Sequence, residues 1–169
     1  QAKNIILPDT TEAQWVNMYK IPDEYVLVIF WDPHCGHCKK TLPDTYKDYK
    51  EKLKPIGVEV YSVAKATDST LFADWKKFIR ENDMRWINVG LTWHVYNEAK
   101  KNASAFIPRL TTIESLIYAE TWDVYSTPKL FLLDGERKIV GKQLTPDQMV
   151  DLIGVLRKRK AKAQDHCSG

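Results

Sequence analysis

Two cysteines three residues apart, in Cys35-Gly36-His37-Cys38, are the side chains of this chain best suited to chemistry. A helix beginning near Cys35 puts both thiols on one face, close enough to bond. The first thiol then sits among the free backbone N–H groups of a helix start, where the dipole favours negative charge and lowers its pKa. The second lies one turn inside, more buried, and holds its proton. One thiol that attacks and one that resolves are what dithiol–disulfide exchange requires. Gly36 leaves room at the turn, and His37 sets an imidazole beside the thiolate. When protonated, that imidazole favours the reduced, charged form and makes the disulfide more oxidising. Two other readings compete: inert core cysteines, or half of a metal site completed by His34 and His37. A structural zinc site needs four ligands, usually in two separated pairs, and His94 and His166 have no paired spacing. The redox reading is preferred, with no metal and no bound cofactor.

The elements around the pair support that preference. Tyr25-Val-Leu-Val-Ile-Phe-Trp31 is a continuous β-branched and aromatic run, the pattern of a strand buried on both faces. Asp32-Pro33-His34 then leads into a helical stripe of Cys38, Leu42, Tyr46, Tyr49 and Leu53, with Pro43 inside it as a kink. Pro55 and Gly57 end that helix. Val58–Ala64 predicts a second strand, Ser69–Glu81 a second helix, and Trp86–Val89 a short strand. Leu91–Leu110 is harder to place, with a short helix near Tyr96–Lys101. Thr111-Thr-Ile-Glu114 is a capping box that predicts a helix to about Trp122. Lys129–Leu133 and Lys138–Gly141 form a hairpin about Asp134-Gly135. Thr145-Pro-Asp-Gln148, a second capping box, starts a last helix to about Leu156. Asn4–Leu7 and Trp15–Tyr19 read as small strands ahead of the core. Strand–helix alternation followed by a hairpin predicts an α/β fold, a mixed sheet with flanking helices.

With these elements in place, Phe30-Trp31-Asp32-Pro33-His34-Cys35-Gly36-His37-Cys38-Lys39-Lys40, Pro43 and Ser126-Thr127-Pro128-Lys129 resemble the thioredoxin superfamily. The branch most similar is the TlpA/ResA-type thiol–disulfide oxidoreductases of bacterial envelopes, over about Ile5 to Leu156. The paired cysteines and the Thr-Pro, about 90 residues apart, carry the resemblance. It implies a thioredoxin-like fold, a redox-active Cys35–Cys38 dithiol/disulfide, and a cis Thr127–Pro128 bond facing it. It implies supporting roles for Trp31, His37, Thr127 and Pro128, with Thr127 pairing to substrate backbone as in strand addition. The expected partners are protein disulfides or dithiols and an upstream redox partner. The expected state is a monomer in the periplasm or cell envelope, with any membrane tether outside this chain.

The chain departs from the family at several places. Ile29 stands where thioredoxin has a buried aspartate, and Thr41 where ResA-like proteins often have glutamate. Both carboxylates are associated with moving the buried thiol's proton. His34 replaces the usual tryptophan, and the CGHC centre is like that of protein disulfide isomerase. Leu91–Leu110 reads as an insertion whose Trp93, Tyr96 and Phe106 either pack onto the domain or meet a partner. The alternative functions are a copper- or zinc-handling module built on His34, Cys35, His37 and Cys38, and a non-catalytic interaction domain.

Composition bounds the rest. The chain has 169 residues, 44% hydrophobic and 28% charged, enough for one well-buried domain. No apolar run approaches the ~20 residues of a membrane span, and Gln1–Lys20 lacks the basic-then-apolar layout of a secretory leader. Three cysteines do not make a disulfide framework. The net charge is +3, but Arg157, Lys158, Arg159, Lys160 and Lys162 against Asp165 give the last thirteen residues +4 and leave the remainder at −1. That near-neutral body gives no electrostatic case for nucleic acid. The expected organisation is a thioredoxin-like domain over 1–156 and a basic, disordered tail over 157–169 that holds the lone Cys167.

Overall fold

A computed structural model describes residues 1–168, with side chains as far as His166. The side chain of Cys167 lies outside the described residues. Five strands form the main sheet: β3 (Tyr25–Trp31), β4 (Val58–Ala66), β5 (Ile87–Thr92), β6 (Lys129–Leu133) and β7 (Ile139–Lys142). Their spatial order is β5-β4-β3-β6-β7. The first three run parallel, and β6 and β7 are antiparallel to their neighbours. Before them, β1 (Ile6–Pro8) and β2 (Trp15–Asn17) pair as a separate antiparallel hairpin. The mixed α/β sheet and the small leading strands match the sequence expectation.

Strand β3 is the axis of the molecule. All seven of its residues are buried. The pleat sends Tyr25, Leu27, Ile29 and Trp31 into one core and Val26, Val28 and Phe30 into the other. The first core also receives Cys38, Leu42 and Tyr46 from helix α1 (Gly36–Asp48), Phe72, Trp75 and Phe78 from α2 (Ser69–Asn82), and Met149 and Ile153 from α6 (Pro146–Ser168). The second is closed by the β1–β2 hairpin, by α3 (Trp93–Lys101), and by Tyr118 of the short α5 (Tyr118–Thr121). Gly90 in β5 lets Trp75 lie on the sheet; a Cβ there would stand 2.8 Å from the Ala64 carbonyl and 3.2 Å from the indole.

Several boundaries differ from the sequence reading, each for a local reason. Helix α1 runs through Pro43 to Asp48, continues as a π-turn over Tyr49–Leu53, and a short 3-10 turn then ends at Gly57 with φ of 87°. The helix expected from Thr111 starts one residue later, because Thr112 is the cap that accepts the Ser115 N–H. Thr111 instead donates its hydroxyl to the Ile6 carbonyl, and Ser115 accepts the Ile6 N–H, so β1 sets the register. That helix also breaks at Ile117, into α4 (Ile113–Leu116) and α5. The second capping box forms in full: Thr145 accepts the Gln148 N–H at 3.2 Å and Gln148 accepts the Thr145 N–H at 2.9 Å. Helix α6 does not stop near Leu156; it continues to Ser168. The tail expected to be disordered is therefore helical as far as Ser168, because Arg157–Gln164 holds good helix formers and no glycine or proline to stop the pattern.

Candidate active site

Strand β3 ends at Trp31, and the chain turns once before α1. Asp32 builds the turn. Its carboxylate accepts the His34 N–H at 2.8 Å and its carbonyl accepts the Cys35 N–H at 2.9 Å. Cys35 is the N-cap of α1, with its Sγ accepting the Cys38 N–H at 3.2 Å. An N-cap normally supplies an oxygen to this orphan donor. Here the sulfur does, and a thiolate does it better than a thiol.

The two thiols are unlike. Both are free, Cys35 half-buried and Cys38 fully buried. Burial works against the Cys35 thiolate, but hydrogen bonds from the Cys38 thiol and backbone N–H, the Thr127 side chain and the His37 N–H overcome it and bring the pKa below the ordinary value. Burial pushes Cys38 up to about 11, helped by its donation to Cys35. Ile29, the position of thioredoxin's aspartate, is fully buried in the same core as Cys38, so that thiol has apolar surroundings.

The predicted supporting residues divide. The Thr127–Pro128 bond is cis, as is Ile107–Pro108. The Thr127 carbonyl lies 3.7 Å from Cys35 Sγ, where it accepts from the thiol, whereas the Thr127 hydroxyl favours the thiolate. Trp31 does not face the site: its indole is buried, donates to Ser62 Oγ at 2.9 Å and packs 5.2 Å from Phe78. His37 is exposed on α1, and its carbonyl accepts the Thr41 hydroxyl at 2.9 Å. His34 turns away from the other histidine to Asp74 on α2, Nε2 to Oδ2 2.7 Å. Sequence reasoning missed Asp74, because nothing along the chain links positions forty residues apart. Among the described residues no three His, Cys, Asp or Glu side chains converge as a metal site.

The aromatic residues of 91–110 also divide. Trp93 packs against the first core and Phe106 against the second, its ring 5.8 Å from Trp15. Tyr96 alone of the three is exposed, and it lines a groove that reaches Thr127.

A mixed sheet, a dithiol at the end of its central strand and a Thr-Pro loop against the first thiol define a thioredoxin-superfamily protein. The chain belongs to the AhpC/TSA family, whose model matches residues 1–142. It is similar to the crystal structure of a domain of a possible thiol–disulfide isomerase from Cytophaga hutchinsonii, with 26% identity, a TM-score of 0.70 and coverage of 96% of this chain and 94% of that one. It is also similar to the thioredoxin domain of a thiol–disulfide oxidoreductase from Bacteroides vulgatus, with 26% identity, a TM-score of 0.65 and coverage of 92% and 94%. A thiol:disulfide interchange protein from Bacteroides sp. matches with 26% identity, a TM-score of 0.60 and coverage of 90% and 84%. A search of curated proteins finds no significant match.

Proposed function

We propose that this chain is a TlpA/ResA-type thiol–disulfide oxidoreductase that acts on protein disulfides, with residues 1–156 as the catalytic unit. One observation carries the reading: Cys35 Sγ accepts the Cys38 N–H at 3.2 Å while Cys38 itself is fully buried. The Cys35 thiolate attacks a substrate sulfur, forming one S–S bond and releasing one substrate thiolate. The released thiolate takes the Cys38 proton. Cys38 then attacks Cys35 Sγ, and the second substrate thiolate leaves. Two electrons have passed from the dithiol to the substrate, and the reverse sequence oxidises a substrate dithiol. Because neither Ile29 nor Thr41 is a carboxylate, the substrate itself serves as proton acceptor. No organic cofactor takes part, and an upstream redox partner resets the dithiol.

The envelope location and monomeric state of this reading rest on the resemblance to TlpA/ResA-type proteins. No helix among the described residues is long and apolar enough to cross a membrane.

The test is a trapping experiment on protein with Cys167→Ser. Cys38→Ser should accumulate a mixed disulfide with a disulfide-bonded protein such as insulin, and Cys35→Ser should not. Trapping through Cys38 in place of Cys35 would overturn the assignment. Stoichiometric copper or zinc binding by the reduced protein, without thiol exchange, would favour the metal-handling alternative.

A further inference from the structure

Beside the dithiol runs a groove of about 530 Å³. Thr127 belongs to both: its carbonyl lies 3.7 Å from Cys35 Sγ, and it lines the groove. Tyr96 on α3 and Ile117 at the break between α4 and α5 also line it. Tyr125, 83% exposed, stands at the lip. Charge is sparse and mixed, with Asp32 and Glu120 against Lys65.

Each feature of these walls has a reason. The segment 91–110 directs Trp93 and Phe106 into the two cores and leaves Tyr96 outside, where Lys100 Nζ sits 4.4 Å from its ring centroid. The break at Ile117 turns its side chain outward, 43% exposed. Two tyrosines and an isoleucine exposed around one groove form an apolar surface that the chain itself covers only at its edge, by Lys100. Such a surface marks a place where another molecule binds.

The occupant follows from where the groove begins. A substrate sulfur bonded to Cys35 must lie against Thr127, so the chain that carries this sulfur runs from Thr127 along the groove. A groove of this volume takes one large side chain and the adjoining backbone.

We propose that this groove is a specificity subsite for the segment flanking the substrate's cysteine, and that Tyr96, Ile117 and Tyr125 select an aromatic or large aliphatic residue there. The proposal rests on the oxidoreductase reading and adds to it a class of substrate: disulfides whose cysteine has a bulky apolar neighbour. The segment 91–110 thereby has a task, through Tyr96 alone. With Lys100 beside Tyr96 the charges around the groove balance, so an acidic neighbour gains neither apolar contact nor net attraction.

The test measures the rate at which reduced protein, with Cys167→Ser, reduces disulfide-linked peptides carrying Phe, Ser or Asp within two residues of the cysteine. Hydroxyethyl disulfide, which has no side chain for the groove, is the reference. The Phe peptide should exceed the Ser peptide by about tenfold, equivalent to ~1.4 kcal/mol, with the Asp peptide no faster than the Ser peptide. In Tyr96→Ala and Tyr125→Ala the Phe-to-Ser ratio should fall to about twofold or less. Tyr125→Phe should keep the ratio, since the groove uses the ring. Equal rates for Phe and Ser peptides, or a ratio unmoved by both alanine variants, would overturn the proposal. Failure of the unmodified protein to reduce even hydroxyethyl disulfide would instead overturn the oxidoreductase reading.

Discussion

His34 Nε2 lies 2.7 Å from Asp74 Oδ2 and fastens the turn before Cys35 to helix α2. His34 directly precedes the attacking sulfur in the chain, so the contact ties the Cys35 turn to a helix forty residues further on. Asp74→Asn keeps the shape and removes the charge that holds the imidazole. The turn that presents Cys35 then loses an anchor, the Cys38 and Thr127 contacts that favour its thiolate loosen with it, and the couple becomes more reducing. Both side chains are more than two-fifths exposed, so the effect is less than ~30 mV, as for an ion pair worth at most ~1 kcal/mol. Equilibration against glutathione buffers reads the potential. The same substitution in a His34→Asn background should change nothing, and an equal shift there would mean that Asp74 acts without His34.

The unlike thiols set the order of alkylation. Cys35 has its pKa lowered, and Cys38 is buried and raised to about 11. At pH 6, with Cys167→Ser, iodoacetamide should label Cys35 at least tenfold faster than Cys38, as peptide mass analysis would show. Equal labelling would remove the basis for the attacker–resolver assignment.

His37 acts on Cys35 through its backbone. Its N–H is one of the donors that lower the Cys35 pKa. Proline at 37 would remove both that donor and the imidazole, whereas alanine removes only the imidazole. His37→Pro should therefore shift the potential further in the reducing direction than His37→Ala. Each ~30 mV corresponds to ~1.4 kcal/mol lost from the reduced form. Identical shifts in the two variants would assign the whole effect to the ring.

Cys38 also ties stability to pH. A thiol whose folded pKa lies above its unfolded value contributes stability below the unfolded pKa and loses it as pH rises toward the folded one. Its window runs from the ordinary thiol value of 9.0 to about 11. Cys35, lowered in the folded state, works the other way: its contribution is complete above the ordinary thiol value and is lost as pH falls below it, so from about pH 9.5 upward it adds a constant. The reduced protein should thus lose about 1–2 kcal/mol relative to the oxidised protein between pH 9.5 and pH 11. Denaturant unfolding of both forms at the two pH values checks this, and parallel curves would refute it.

Trp31 supports the site from below, and its partner is testable. Ser62→Ala would leave the buried indole N–H without its acceptor at 2.9 Å. The expected destabilisation is about 1–3 kcal/mol, read by chemical denaturation. A change below ~0.5 kcal/mol would mean that the indole finds another acceptor.

The β-branched run of Tyr25–Trp31 and the position of Cys35-Gly-His-Cys38 after it placed the central strand and the dithiol correctly, because strong local pattern and tertiary burial agree there. Thr127-Pro128 was legible only through its resemblance to a family, since a strand-start proline has the same local sequence. The reading of 111–122 failed where β1 recruited Thr111 and Ser115, contacts more than a hundred residues distant in the chain. The end of α6 was misjudged for the opposite reason: charge along Arg157–Gln164 suggested a solvated terminus, but charge does not stop a helix and only glycine or proline would have done so. Asp74 and the Tyr96–Tyr125 groove became visible only with the chain folded, since each joins segments that share no local pattern.

Helix α6 leaves the body beside Arg157, whose guanidinium meets Glu24 at 3.3 Å, the Ile56 carbonyl at 2.6 Å and the ring of Tyr25 at 5.3 Å. Tyr25 opens β3 and Trp31 closes it, a span of about 20 Å at ~3.3 Å per residue. The exit is therefore at the pole opposite Cys35. The residues from Arg157 onward carry +4 and the rest of the chain −1, so the molecule's positive charge lies off its centre of mass. Brought to a negatively charged surface, it turns like a compass needle: the far end of α6 goes down, and Cys35, Thr127 and the groove between them face the solution.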